Sequence, residues 1–122
     1  NSEHFNEIRE EAIQLLKYVH EMEIEEIIEA VNHITAYKME INDYLDILMV
    51  WYRDMLMYKA TKDMDKVVFK DQINVIREQV KKSSYEGIEL ILESLEKAKV
   101  RLKANVNFEL TMELLFLTIK EN

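Results

Sequence analysis

Apolar side chains recur at steps of three and four along almost the whole chain, the spacing that puts them on one face of an α-helix. Phe5, Ile8, Ala12, Leu15, Leu16 and Val19 share such a face, with Glu7, Arg9, Glu10, Glu11 and Gln14 largely opposite. A first amphipathic helix follows, ending at a junction over His20-Glu21-Met22-Glu23. Ile24, Ile27, Ile28, Val31, Ile34 and Thr35 repeat the pattern for a second, whose acidic side carries Glu25, Glu26 and Glu29. A third helix, capped by Asn42 or Asp43, runs to about Tyr58 and is apolar around most of its circumference. After Asp43 only Asp46, Arg53 and Asp54 interrupt it as charges. Residues 60–66 form the best candidate for a loop, followed by an apolar patch at Val67-Val68-Phe69. The pattern then predicts a helix over 71–81 with Ile73, Ile76 and Val80 inward. Ser83 or Ser84 caps the next, which carries Tyr85, Ile88, Ile91, Leu92, Leu95, Ala98 and Leu102. The last helix, about 108–119, is capped by Asn107 and again apolar nearly all round: Leu110, Met112, Leu114, Leu115, Phe116, Leu117 and Ile119.

Composition narrows the fold class to all-α, a compact bundle of about five to six helices. The chain has 122 residues, 48% of them apolar, a single glycine (Gly87) and no proline. That is enough apolar material for one core, so residues 1–122 read as one domain. Sheet-rich folds need turn residues at many points, and Gly87 alone cannot supply them. The same shortage removes the P-loop and the dinucleotide fingerprint, whose backbone N–H groups approach phosphates through glycines. The absence of cysteine removes zinc knuckles, thiol catalysis and disulfides. No apolar run is long enough for a membrane span, and the first residues carry no leader pattern, so the expected location is the cytoplasm. The chain starts at Asn1 without an initiator methionine, so a fragment of a longer protein is expected, with part of the function encoded upstream.

Charge is uneven: residues 1–61 hold 13 acidic and 5 basic side chains, and residues 62–122 hold 11 of each. The acidic half is a poor surface for nucleic acid. Di-iron bundles place Glu-x-x-His on two helices, and no such motif exists here. Glu29 and His33, four apart, read as a solvated pair. The serines have no nucleophile-elbow glycines, and the glutamate runs lie on polar faces, so no catalytic residue, metal ligand, cofactor or small-molecule site is identified. Lys97, Lys99, Arg101 and Lys103 fall on two stripes and suit a helix C-terminus stabilised by cations. The two greasy helices suggest apolar surface that is covered only on assembly, hence an oligomerisation module. Arg53 and Asp54 read as a charged pair at the rim of an interface or inside it.

Two segments carry a family resemblance. Helix three, with Trp51-Tyr52-Arg53-Asp54 at its centre, and the closing Arg101-Leu102-Lys103-Ala104-Asn105-Val106-Asn107 before the leucine-rich last helix resemble the C-terminal domain of the bacterial DNA polymerase III delta-prime subunit. The order and spacing of the helices agree over most of the chain. Relatives often open the last helix with proline, where this chain has Phe108. The resemblance implies a helical collar domain that packs side by side with the C-terminal domains of the other clamp-loader subunits, delta and gamma/tau. It implies ATPase-like modules upstream, contact with DNA only indirectly, and no enzymatic activity of its own. The structural motif is then Asn105, Val106 and Asn107, with Asn107 capping the last helix and Asn105 taking the left-handed conformation that ends the one before. The candidate interface is Trp51, Tyr52, Arg53, Asp54, Lys103 and Leu115. Alternatives are the collar of another loader subunit, a small helical enzyme or metal carrier, and a stand-alone helical adaptor.

Overall fold

The computed structural model describes residues 2–122, which form six α-helices and no strand. They are α1 (Ser2–Tyr18), α2 (Ile24–Ile34), α3 (Ile41–Thr61), α4 (Ile73–Lys81), α5 (Tyr85–Lys103) and α6 (Phe108–Glu121), joined in part by short 3₁₀ turns. The chain is the all-α bundle that its periodicity predicts.

The longest helix, α3, is the axis of the fold: α1, α4 and α5 all pack on it. Its near-continuous apolar surface makes this arrangement favourable. Tyr44, Leu45, Leu48, Trp51, Tyr52 and Met55 are each within 1% of complete burial. Burying a side chain of this size contributes roughly 1.5–3 kcal/mol, so α3 alone accounts for much of the core. The expectation that α3 keeps an uncovered apolar face is therefore not met. Only Met57, near its C-terminal end, stands out as an exposed large apolar residue. The sixth helix has fewer neighbours, packing on α5, α2 and the turn after α1.

The entry to α3 differs from the expected cap at Asn42 or Asp43. A 3₁₀ segment, Thr35–Glu40, carries the chain from α2 almost directly into Ile41, with a kink at Tyr37 (φ −105°, ψ 18°). No side chain caps α3, because the preceding turn already holds the chain close to helical. At its other end Lys62 is left-handed (φ 60°) and donates its N–H to the Tyr58 carbonyl at 2.8 Å. The second helix opens with a reciprocal cap in which the Glu26 carboxylate accepts the Glu23 N–H at 3.0 Å.

Ser84, not Ser83, caps α5: its hydroxyl accepts the Gly87 N–H at 2.9 Å. A side chain on Gly87 would bring its Cβ within 3.0 Å of the Asn122 carbonyl oxygen, so the lone glycine lets α5 begin against the end of α6. Tyr85 and Phe5, placed inward by periodicity, are exposed at the first turns of α5 and α1.

The corner between α5 and α6 is a complete Schellman motif. Asn105 is left-handed (φ 60°), its N–H bonds Leu102 O at 3.1 Å, and the Val106 N–H bonds Arg101 O at 3.0 Å. Two residues on, the Asn107 side-chain oxygen accepts the Leu110 N–H at 2.8 Å. Both helix ends are thus satisfied within a few residues, which sets the angle between α5 and α6. Asn107→Ala is expected to cost about 1 kcal/mol, the usual size of a lost N-cap, read as a lower thermal midpoint.

Candidate assembly surface

The residues that the sequence offers as an interface separate sharply by depth. Trp51 and Tyr52 lie wholly inside the domain's own core, and Leu115 is buried beside Met112, Phe116 and Ile119 on the inner face of α6. None of the three is available to a partner. The correction has a plain cause: in a bundle this small the largest apolar side chains are drawn to the axis helix, where the most neighbours meet.

The buried polar groups bind the elements to one another. The Trp51 indole N–H donates to Gln79 Oε1 at 2.9 Å, and Gln79 Nε2 donates to the Leu16 carbonyl at 2.9 Å, linking α3, α4 and α1. The Tyr52 hydroxyl lies 3.2 Å from His20 Nε2. Burial pushes the tyrosine up and holds His20 below the ordinary histidine range, so the phenol donates to a neutral ring. The imidazole also hydrogen-bonds the backbone of Lys120, joining the α1–α2 turn, α3 and the last turn of α6.

Arg53 and Asp54 are not a pair. Arg53 points to solvent, whereas Asp54 is 3% exposed and takes the N–H groups of Val68 and Phe69, one on each carboxylate oxygen, both at 2.8 Å. The carboxylate thereby holds the 62–72 connection against α3. Val67 and Phe69 go inward and Val68 outward, with Phe69 tilted against Trp51 at 5.8 Å between ring centroids. Lys103 is exposed and lines a shallow cleft with Asn42, Asp46, Lys99 and Val100, where Lys99 pairs with Asp46. Glu93 and Lys97 form the pair expected from their spacing, at 3.2 Å on an exposed face.

Apolar surface remains on α6 and α2, which pack against each other. Leu110 and Leu114 are 51% and 50% exposed, and Ile24 and Ile28 are 56% and 43% exposed. Periodicity places Ile24 and Ile28 on the inward face, yet only Ile27, Val31 and Ile34 turn to the core. On α6 the signal is legible: Leu110, Leu114 and half-buried Leu117 share a stripe of their own, separate from the Met112-Leu115-Phe116-Ile119 face. Four large aliphatic side chains on adjoining helices are a costly surface to hydrate and suit a protein interface.

His33 turns away from Glu29 and meets Glu11 of α1 at 3.3 Å. Among the described residues no three His, Asp or Glu side chains converge where a metal ion would be held, and no helix is long and apolar enough to cross a membrane.

Comparison with protein families gives a match to the family described as DNA polymerase III, delta subunit, C terminal, over residues 3–121. No curated protein and no solved structure matches the chain.

Proposed function

The chain belongs to the family formed by the C-terminal domain of the DNA polymerase III delta subunit, and from that premise we propose that it is an assembly module of the clamp loader. In this reading it is a collar domain that packs with the C-terminal domains of the delta and gamma/tau subunits, so that the complex loads the sliding clamp on primed DNA in the cytoplasm. The domain performs no reaction itself and meets DNA only through the complex, its ATPase-like modules lying upstream. Within the family, the Lys103-Ala104-Asn105-Val106-Asn107 corner followed by a leucine-rich last helix favours the delta-prime subunit. The observation that carries the reading is the exposed Ile24, Ile28, Leu110 and Leu114 group on α2 and α6, apolar surface that the chain does not cover itself.

Light scattering after size exclusion tests it, with the domain alone and then mixed with the C-terminal domains of delta and gamma/tau from the same source. A defined hetero-oligomer is expected, lost in Leu114→Glu and Ile28→Glu while circular dichroism and the thermal midpoint stay close to the parent. Separate monomers throughout, or a complex indifferent to both substitutions, would overturn the assignment of this surface.

A further inference from the structure

A cleft of about 330 Å³ lies at the end of the bundle where α1, α4 and α6 terminate. Half-buried His20, in the turn between α1 and α2, lines it and joins three parts of the fold. Its Nε2 lies 3.2 Å from the hydroxyl of Tyr52 on α3, with the two rings edge-on at 6.4 Å between centroids. The imidazole also bonds the backbone of Lys120, in the last turn of α6.

The polarity of the Tyr52 bond makes this junction sensitive to a proton. Among the described residues His20 is the only hydrogen-bond partner of the Tyr52 hydroxyl. With a neutral ring the phenol donates to Nε2 and both groups are satisfied. A proton on Nε2 turns that nitrogen from acceptor to donor, so the hydroxyl accepts and its own hydrogen loses its partner. Tyr52 is fully buried, and a donor stranded there pays its desolvation in full.

The surrounding charges do not reverse the preference for a neutral ring. Glu21 and the bond to the Lys120 backbone favour the imidazolium and the Lys120 ammonium opposes it, but burial is the largest effect and holds His20 below the ordinary histidine range. The other charged groups of the cleft are Lys17 from α1, Lys82 at the end of α4 and Glu121 from α6. We propose that His20 is a proton-operated latch on the end of α6: neutral, it holds the α1–α2 turn, Tyr52 and the last turn of α6 together; protonated, it swings into the cleft and frees that turn. The cleft supplies the room, and solvent there receives the charge. The latch acts within one chain and stands apart from the assembly reading.

Because the folded ring takes its proton at lower pH than the unfolded chain, whose histidines titrate near about pH 6.5, stability is full above that pH and falls below it. The test compares the domain with His20→Gln, both in a background where His4 and His33, which meet carboxylates at the surface, are glutamine. Glutamine does not titrate, yet its amide oxygen can accept from Tyr52. Urea titrations between about pH 8 and about pH 5.5 are expected to show the folding constant of the His20 chain falling by up to about tenfold more than that of the variant. Tyr52→Phe keeps the ring and removes the phenol proton, so the excess fall should shrink. Hydrogen exchange, corrected for its intrinsic pH dependence, should show the last turn of α6 losing protection at about pH 5.5 while α3 keeps it. Nuclear magnetic resonance of the His20 ring in the parent chain decides the matter even where His20→Gln does not fold. The proposal is overturned if the two chains respond to acid alike, if the His20 ring titrates at or above the ordinary value, if Tyr52→Phe leaves the acid response unchanged, or if protection is lost evenly across the six helices.

Discussion

Trp51→Ala is expected to cost about 4 kcal/mol, a loss at the upper end of what single substitutions produce. The indole is fully buried, and its removal opens a cavity at the point where α3 meets α4 and the 62–72 connection. It also strands Gln79, whose Oε1 loses its donor while Nε2 still holds the Leu16 carbonyl. Domains of this size have about 5–15 kcal/mol of stability in all, so the substitution removes between about a quarter and most of it. Trp51→Phe separates the two contributions. It keeps most of the ring volume and loses the hydrogen bond, for an expected cost of about 2 kcal/mol. Urea titration followed by circular dichroism reads both, since neither variant retains a tryptophan. An alanine variant with the parent's midpoint would show that Trp51 is not a keystone of the core. A substitution at Trp51 therefore reports on folding, whereas one at Leu114, half exposed, leaves the core in place.

Asp54→Ala is expected to cost about 3 kcal/mol, though the residue touches no other charge. Its two oxygens satisfy two consecutive backbone N–H groups, and the Phe69 donor is buried. Removing the carboxylate leaves both donors without a partner, and the buried Phe69 N–H in particular is out of easy reach of water. Asp54→Asn retains one acceptor and turns an NH₂ toward the other donor, so about half of the loss is expected to persist. Hydrogen exchange supplies a local readout: the Val68 and Phe69 amides should lose protection well before those of α1 or α6. Asp63 provides the contrast. It accepts the Asp65 N–H at 2.9 Å on an exposed turn, and Asp63→Ala should cost under about 1 kcal/mol.

Much of the fold is legible from spacing alone. Six helices, the junction at His20–Glu23, the inward faces of α4 and α5 and the cap at Asn107 all follow from apolar period and from residues able to cap. The candidate surface is less legible, and the particular misreadings show why. Trp51 and Asp54 stand three apart on a helix that is apolar on nearly every side, and nothing local says which side meets a neighbour. Depth is a property of how many helices surround a position. The sequence places α3 among others but carries no count of them. Asp54 reads in sequence as half of a charged pair because a backbone N–H fourteen residues away leaves no trace in composition. Ile24 and Ile28 fit an inward pattern as well as Ile27 and Val31 do, and only the direction from which α6 approaches α2 separates them.

The chain by itself determined the class of structure and the approximate place of each helix, though not the ends of α3, which starts at Ile41 without a cap and runs on to Thr61, because helix formation depends on periodicity, caps and the near absence of glycine and proline, all local properties. It also placed the Asn105-Val106-Asn107 corner, since a left-handed residue and an N-cap are choices made within one turn of backbone. Tertiary structure alone decided which apolar residues are core and which are surface, and which carboxylate is a solvated charge and which a buried acceptor. Those outcomes depend on the relative placement of helices distant in sequence. Periodicity marks the stripe a helix buries, but the width that is covered is set by its neighbours.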